Sequence, residues 1–301
     1  MAKPPPIRPL TARCVVDIDG QDDLIAFAIG PERAVYALQA LGPHGPGRPP
    51  PAYRVRAWLD GQCTLDTRIQ SPSCLLYALQ PLGAELLFVG VPLGVSRHEA
   101  RNGRVYSREG LPLRELHLGD SIEHVQTTLQ GAIWTAYFDE GVFGDDPVSQ
   151  HGLAAWDADG ECVYRFHPDL AGLDHICDCY ALNVADDRET WLYYYSAFPL
   201  VLLRGRRVAR YWNVPVSGAH AFAARGGHAL FTGGYREHDT LTLLRLDDAA
   251  QCATLARFQA CDDDGTPLPA ERFHGRADTL YFLCERRIWA IGLDHALAAL
   301  R

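Results

Sequence analysis

The sequence predicts an all-β fold made by repetition, and two recurrences carry that prediction. The first is a tight turn with glycine between β-rich runs: Asp60-Gly61, Glu109-Gly110, Asp159-Gly160 and Arg204-Gly205, with spacings of 49, 50 and 45 residues between the glycines. An acid followed by Gly at such a place marks a hairpin, because glycine accepts positive φ without steric cost. The second is a short apolar strand about twenty residues before each turn, found six times: 35–37, 86–88, 133–134, 191–193, 230–231 and 280–282. These short apolar runs, separated from the preceding β-like run by a loop with Gly or an acid, read as strands.

Each element of the repeat follows. A β-like run precedes the apolar strand, as in 122–129, 176–184 and 220–224. An aromatic closes the third strand before the turn: Trp58, Tyr106 and Trp156. A further strand follows it, as in 63–69, 111–118 and 162–166. Four short antiparallel strands in roughly 50 residues make one propeller blade, and six copies make six blades. The sixth copy lacks a clear fourth strand, while the N-terminus supplies an unassigned one at 11–18. Pairing the two removes two open sheet edges. The expectation is one domain over residues 1–301, a six-bladed β-propeller closed by its N-terminal strand. The one helix-like stretch is 295–301.

Composition narrows the function. The 301 residues carry 37 Asp and Glu against 28 Lys and Arg, a net charge of −9. An acidic chain without a basic run is ill suited to phosphate backbones, so no nucleic acid is expected. No apolar run reaches the roughly 18 residues of a membrane span, and 1–14 has no apolar signal core. Nine cysteines at irregular spacing then read as reduced thiols, and the expected location is the cytoplasm.

Period and turn grammar resemble those of six-bladed β-propeller repeat proteins over nearly the whole chain. No blade has the Trp-Asp and Gly-His pairs of WD40 repeats, and no Kelch double-glycine series recurs. The stretches FDEGVFG (138–144) and DCYALN (178–183) look like uncharacterised bacterial propeller-like proteins, a likeness that implies no activity.

In a propeller, the loops between second and third strands share a side with those between blades. In this register these loops hold 20 Asp and Glu against 8 Lys and Arg. A side of one sign attracts a partner or cation of the other. The longest polar loop, 139–152, contains Asp139, Glu140, Asp145 and Asp146; Phe143 between the pairs reads as an exposed anchor or as a plug onto the blade, with the plug favoured. The Pro-rich stretch 42–51 reads as a flexible or polyproline segment that could dock a partner, with a spacer the favoured reading.

The leading expectation is a non-catalytic binding module, scaffold-like or immunity-like, that holds a protein partner with a basic surface and needs no cofactor. Its contact residues would be Asp120, Asp139, Glu140, Asp145, Asp146 and Asp174, with Tyr195 and Tyr235 giving contact area. The alternative is a lactonase-like or esterase-like hydrolase binding calcium or magnesium through Asp120, Glu140, Asp174 and Asn183. Such hard oxygen donors suit those ions. His175, Cys177 and Cys179 alternate on an expected strand, which would put them on one face, but a buried-core role suits them better than zinc. Asp262-Asp263-Asp264-Gly265 reads as a solvated turn, and 235–239 (YREHD) as exposed loop residues. No Ser sits in a nucleophile elbow and no phosphate-cradling glycine loop is present.

Overall fold

The computed structural model describes residues 4–70, 72–92, 101–235 and 237–301. It is all-β, with six blades in the arrangement of a β-propeller. The chain forms two compact units, 18–166 and 1–17 with 167–301, each holding three blades.

In the unit 18–166, blade one is Asp23–Ile29, Val35–Ala40, Tyr53–Leu59 and Gln62–Ile69; blade two is Cys74–Leu82, Glu85–Pro92, Gly103–Tyr106 and Pro112–Leu116; blade three is Ile122–Thr127, Ile133–Tyr137, Leu153–Trp156 and Cys162–Arg165. Each is an antiparallel meander. The expected turns fall between third and fourth strands. Asp60 and Gly61 both have positive φ (49° and 78°), the two-residue geometry that suits a twisted hairpin. Blades one and two bury Tyr53, Leu76 and Phe88 between them, and blades two and three bury Leu87, Ile133 and Tyr137. Each such side chain stabilises by about 1.5–3 kcal/mol.

In the other unit, blade four is Asp178–Val184, Glu189–Tyr195, Pro199–Arg204 and Arg207–Asn213. Its turn is centred on Gly205-Arg206, one residue later than the sequence suggests, with both at positive φ. Blade five is Phe222–Arg225, His228–Phe231, Thr240–Leu246 and Cys252–Cys261; blade six is Arg272–Arg276, Thr279–Cys284 and Arg287–Gly292. The N-terminal strand Arg13–Asp17 completes blade six, antiparallel to Arg287–Gly292. A second N-terminal strand, Ile7–Thr11, lies parallel to Cys252–Cys261 as a fifth strand of blade five. The sequence reading did not separate these strands. Ala12, 1% exposed, sits at the crossing and donates its N–H to Cys261 O at 2.8 Å.

The C-terminal helix is Leu293–Ala298, two residues earlier than expected, and it buries Leu293 and Ala296 on blades five and six. The opening strand of blades one to four carries the same irregularity: one residue too many against its neighbour, at Ile25, Tyr77, Glu123 and Tyr180. A bulge of this kind re-aims one side chain out of the sheet's alternation.

Candidate functional site

In the unit 18–166 the polar loop of blade three is not irregular. It holds one helical turn, Asp139–Val142, and a 3-10 turn, Ser149–His151. Glycine permits the first: a Cβ on Gly141 would stand 2.5 Å from Asp120 O, and one on Gly144 2.6 Å from Glu140 O. Asp146 organises the second. Its Oδ1 accepts from Val148 N at 3.0 Å, Ser149 N at 2.8 Å and Ser149 Oγ at 3.0 Å, and its Oδ2 lies 2.8 Å from His117 Nε2. Ser149 Oγ also accepts from Asp120 N at 2.7 Å. Burial pushes the Asp146 carboxyl pKa up, but the His117 imidazole and the Ser149 and Val148 donors outweigh it and hold it well below the usual carboxylate range.

Asp146 is thus 6% exposed and serves as the internal brace of the loop, while Asp139, Glu140 and Asp145 lie at the surface. Asp120 is half-buried and caps Ser121 N through its own carboxylate at 2.8 Å. Phe143 corrects the sequence expectation of a plug: it is 73% exposed, because Gly141 and Val142 take the buried positions of that turn. The Pro-rich stretch also departs from a free spacer. His44 Nε2 reaches Leu76 O at 3.2 Å, and its ring meets Tyr53 edge-on at 5.8 Å, which ties the loop to blade two.

In the other unit an aromatic cluster forms around Tyr180, the bulge residue of blade four. Its ring stacks on His220 at 5.3 Å and meets Phe198 edge-on at 5.2 Å, and its hydroxyl bonds the Tyr235 hydroxyl. Phe198 in turn touches Tyr195 at 5.6 Å and Tyr235 at 5.8 Å. Burial and the hydroxyl pair raise the Tyr180 pKa, so it stays a neutral phenol. Tyr195 and Tyr235 remain 47% and 51% exposed. The two tyrosines named from sequence therefore belong to one patch. Phe198 and Tyr180, which join them, were missed. The run WLYYYSAF (191–198) was the available signal, since it concentrates five aromatics, of which Tyr195 alone stays exposed.

Asp174 is exposed, and its backbone carbonyl accepts from Tyr194 Oη at 2.7 Å. Asn183 is fully buried and bonded on both side-chain polar atoms. His175, Cys177 and Cys179 do not share a strand face. The strand begins at Asp178, His175 is exposed against His167 at 5.9 Å, and Cys179 is buried. Among the described residues no three His, Cys, Asp or Glu side chains are gathered as a metal site. Asp262 makes an Asx turn, accepting from Asp264 N and Thr266 N at 3.0 and 2.7 Å, as a solvated turn should. Arg236 and residues 93–100 lie outside the described residues. No helix among the described residues is long and apolar enough to cross a membrane.

The YxzG family model matches residues 153–291. A search of curated proteins finds no match to the sequence. Solved structures similar to this chain are propellers. The Pan2 WD40 domain of Neurospora crassa is 11% identical with a TM-score of 0.51, covering 91% of this chain and 79% of that one. Hsv2 of Kluyveromyces lactis is 6% identical with a TM-score of 0.51, covering 91% of this chain and 74% of that one. The computationally designed Ika8 protein is 13% identical with a TM-score of 0.50, covering 93% and 74%. At these identities the likeness concerns the fold alone. The propeller fold fits a binding module.

Proposed function

We propose that this protein is a non-catalytic binding module, scaffold-like or immunity-like, that holds a protein partner with a basic surface through the acidic loop of blade three. One observation carries the reading: Phe143 stands 73% exposed on a turn whose neighbours Asp139, Glu140 and Asp145 are also exposed. An aromatic ring ringed by charge of one sign has the composition of an interface anchor with a steering rim. The brace through Asp146 and Ser149 holds this loop in shape before any partner arrives, which lowers the ordering cost of association.

Asp120 adds negative charge on the same unit; the half-exposed Tyr195 and Tyr235 and the exposed Asp174 are a separate candidate contact surface on the other unit. Partner capture would be steered by charge and weaken with salt over the range where the Debye length falls from about 30 Å to about 8 Å.

The test compares partner capture by wild type, Phe143→Ser and the triple variant Asp139→Asn, Glu140→Gln, Asp145→Asn, at low and physiological salt. The expected result is a specific captured protein that Phe143→Ser releases at both salts. The triple variant should bind it with reduced salt sensitivity. A partner held equally by all three proteins would remove this loop from the interface.

A further inference from the structure

The second unit contains a cleft of about 440 Å³ between the segment that leads into blade five and the loop joining that blade's second and third strands. We infer that this cleft binds an uncharged polyhydroxyl ligand, a neutral carbohydrate unit. The inference goes beyond the protein-partner reading and shares only Tyr235 with it.

The walls are rigid because glycines let two backbones touch. A Cβ on Gly234 would lie 2.0 Å from Ser217 O, and one on Gly233 1.9 Å from Glu237 O. Tyr235 N donates to Ser217 O at 3.0 Å, and Thr240 N to Glu237 O at 3.0 Å. Tyr235 is held as a platform. Its ring lies so close to Gly218 that a Cβ there would be 2.5 Å away, and Phe198 and Tyr180 meet the ring at 5.8 and 6.1 Å. Half its surface stays open. A fixed aromatic surface beside a cleft suits the C–H face of a sugar ring, which is apolar while its rim is polar.

The polar groups of the cleft want a ligand rich in hydroxyls. Thr240 lines it and is only 6% exposed, yet its hydroxyl makes no hydrogen bond to any described residue. The hydroxyls of Ser217 and Thr242, also in the lining, are likewise without a described protein partner. Ser217 is exposed and Thr242 half-buried, so the confined group is the Thr240 hydroxyl, which in native proteins is satisfied by water or ligand. The described charge in the lining is paired. Glu237 is the one charged side chain in the described lining, and Arg257 matches it at 2.5 Å. Among the described lining residues a single carboxylate falls short of the acid–base pair that glycoside hydrolysis uses, which favours holding over cutting.

The test titrates glucose, galactose, mannose, N-acetylglucosamine, maltose and cellobiose, with glucuronate and glucosamine as charged controls, followed by saturation-transfer NMR and calorimetry. The proteins are wild type, Thr240→Val, Tyr235→Ala and Phe143→Ser. Saturable binding of at least one neutral sugar is expected, weakened about five- to tenfold by Thr240→Val, the worth of one hydrogen bond. Tyr235→Ala should weaken it further, with Phe143→Ser unchanged. Because Tyr235 is half-exposed, its variant keeps the test valid should Thr240→Val unfold. No saturable neutral sugar, stronger binding of the charged controls, or a loss of affinity in neither cleft variant overturns the inference. Loss of the protein partner in Phe143→Ser with sugar binding intact separates this site from the interface proposed above.

Discussion

Asn183 in blade four and Ala277 in the first turn of blade six, 94 residues apart, exchange two hydrogen bonds. Asn183 Nδ2 donates to Ala277 O at 2.9 Å, and Ala277 N donates to Asn183 Oδ1 at 2.7 Å. The same Nδ2 donates to Phe222 O at 2.9 Å, at the start of blade five. One buried amide therefore ties three successive blades of this unit. Gly275 is glycine for the same junction, since a Cβ there would lie 1.9 Å from Phe222 O. Replacing Asn183 by Leu keeps the volume but leaves Ala277 N–H and Phe222 O unpaired, while Ala277 O keeps the Ala224 N–H at 2.9 Å. The expected cost is about 2–4 kcal/mol, because each orphaned buried group carries its own desolvation penalty. Asn183→Asp should cost at least as much, since a carboxylate cannot donate to the two carbonyls. Urea denaturation of both variants measures this; a midpoint equal to wild type would show that the clamp is dispensable.

The role of Asn183 shows where sequence reading stops. Strands, turns and blade number were legible because each depends on local pattern: period-two burial, and an acid with glycine at a hairpin, as at Asp60-Gly61. The closing strand was legible because the last repeat was one strand short. Asn183 was not, because its partners Phe222 and Ala277 are remote and offer backbone atoms, which leave no sequence mark. The favoured reading of Phe143 as a plug failed, and the exposed-anchor alternative held, because burial within one helical turn is settled by which side meets the blade. Asp146 and its neighbour Asp145 look alike in sequence, yet Asp146 is buried against His117 and Ser149 while Asp145 is exposed. Tyr180 owes its place to a bulge, which shifts the alternation by one residue.

The Asp146 brace predicts a pH dependence. Its carboxyl pKa is depressed in the folded state, chiefly by His117 and Ser149 acting against burial. A depressed carboxylate contributes stability that is complete above its unfolded value, about 3.9, and is lost as pH falls through the folded one. Asp146→Asn removes that titration and the charge facing His117. It should cost about 1–3 kcal/mol at pH 7, and the gap to wild type should narrow as the pH falls from 5 to 2. Melting curves across that range decide it, and a gap that stays constant would assign the loss to packing instead of charge.

Phe143 separates stability from binding. A ring exposed this far contributes little to the folded state, so Phe143→Ser should change unfolding free energy by less than about 0.5 kcal/mol. Chemical denaturation measures it directly. A loss of 2 kcal/mol or more, on the order expected for a core aromatic, would mean that the ring packs into the fold in solution and is no free anchor.

The N-terminal strands predict a graded response to truncation. Removing residues 1–11 strips Ile7–Thr11 from blade five and exposes the outer edge of Cys252–Cys261. Removing 1–17 also takes Arg13–Asp17 from blade six and opens the edge of Arg287–Gly292. It deletes the buried side chains of Leu10, Ala12 and Val16 together. The two larger ones are worth about 1.5–3 kcal/mol each, before the lost backbone pairing is counted. The ion pair of Asp17 with Arg287, 3.1 Å apart but well exposed, adds little. The shorter deletion should therefore remain folded with a lower denaturation midpoint. The longer one should lose the cooperative transition or associate through its open edges. Light scattering with denaturation of both truncations is the measurement. A 1–17 deletion as stable and monomeric as the full chain would show that blade six holds without its N-terminal strand.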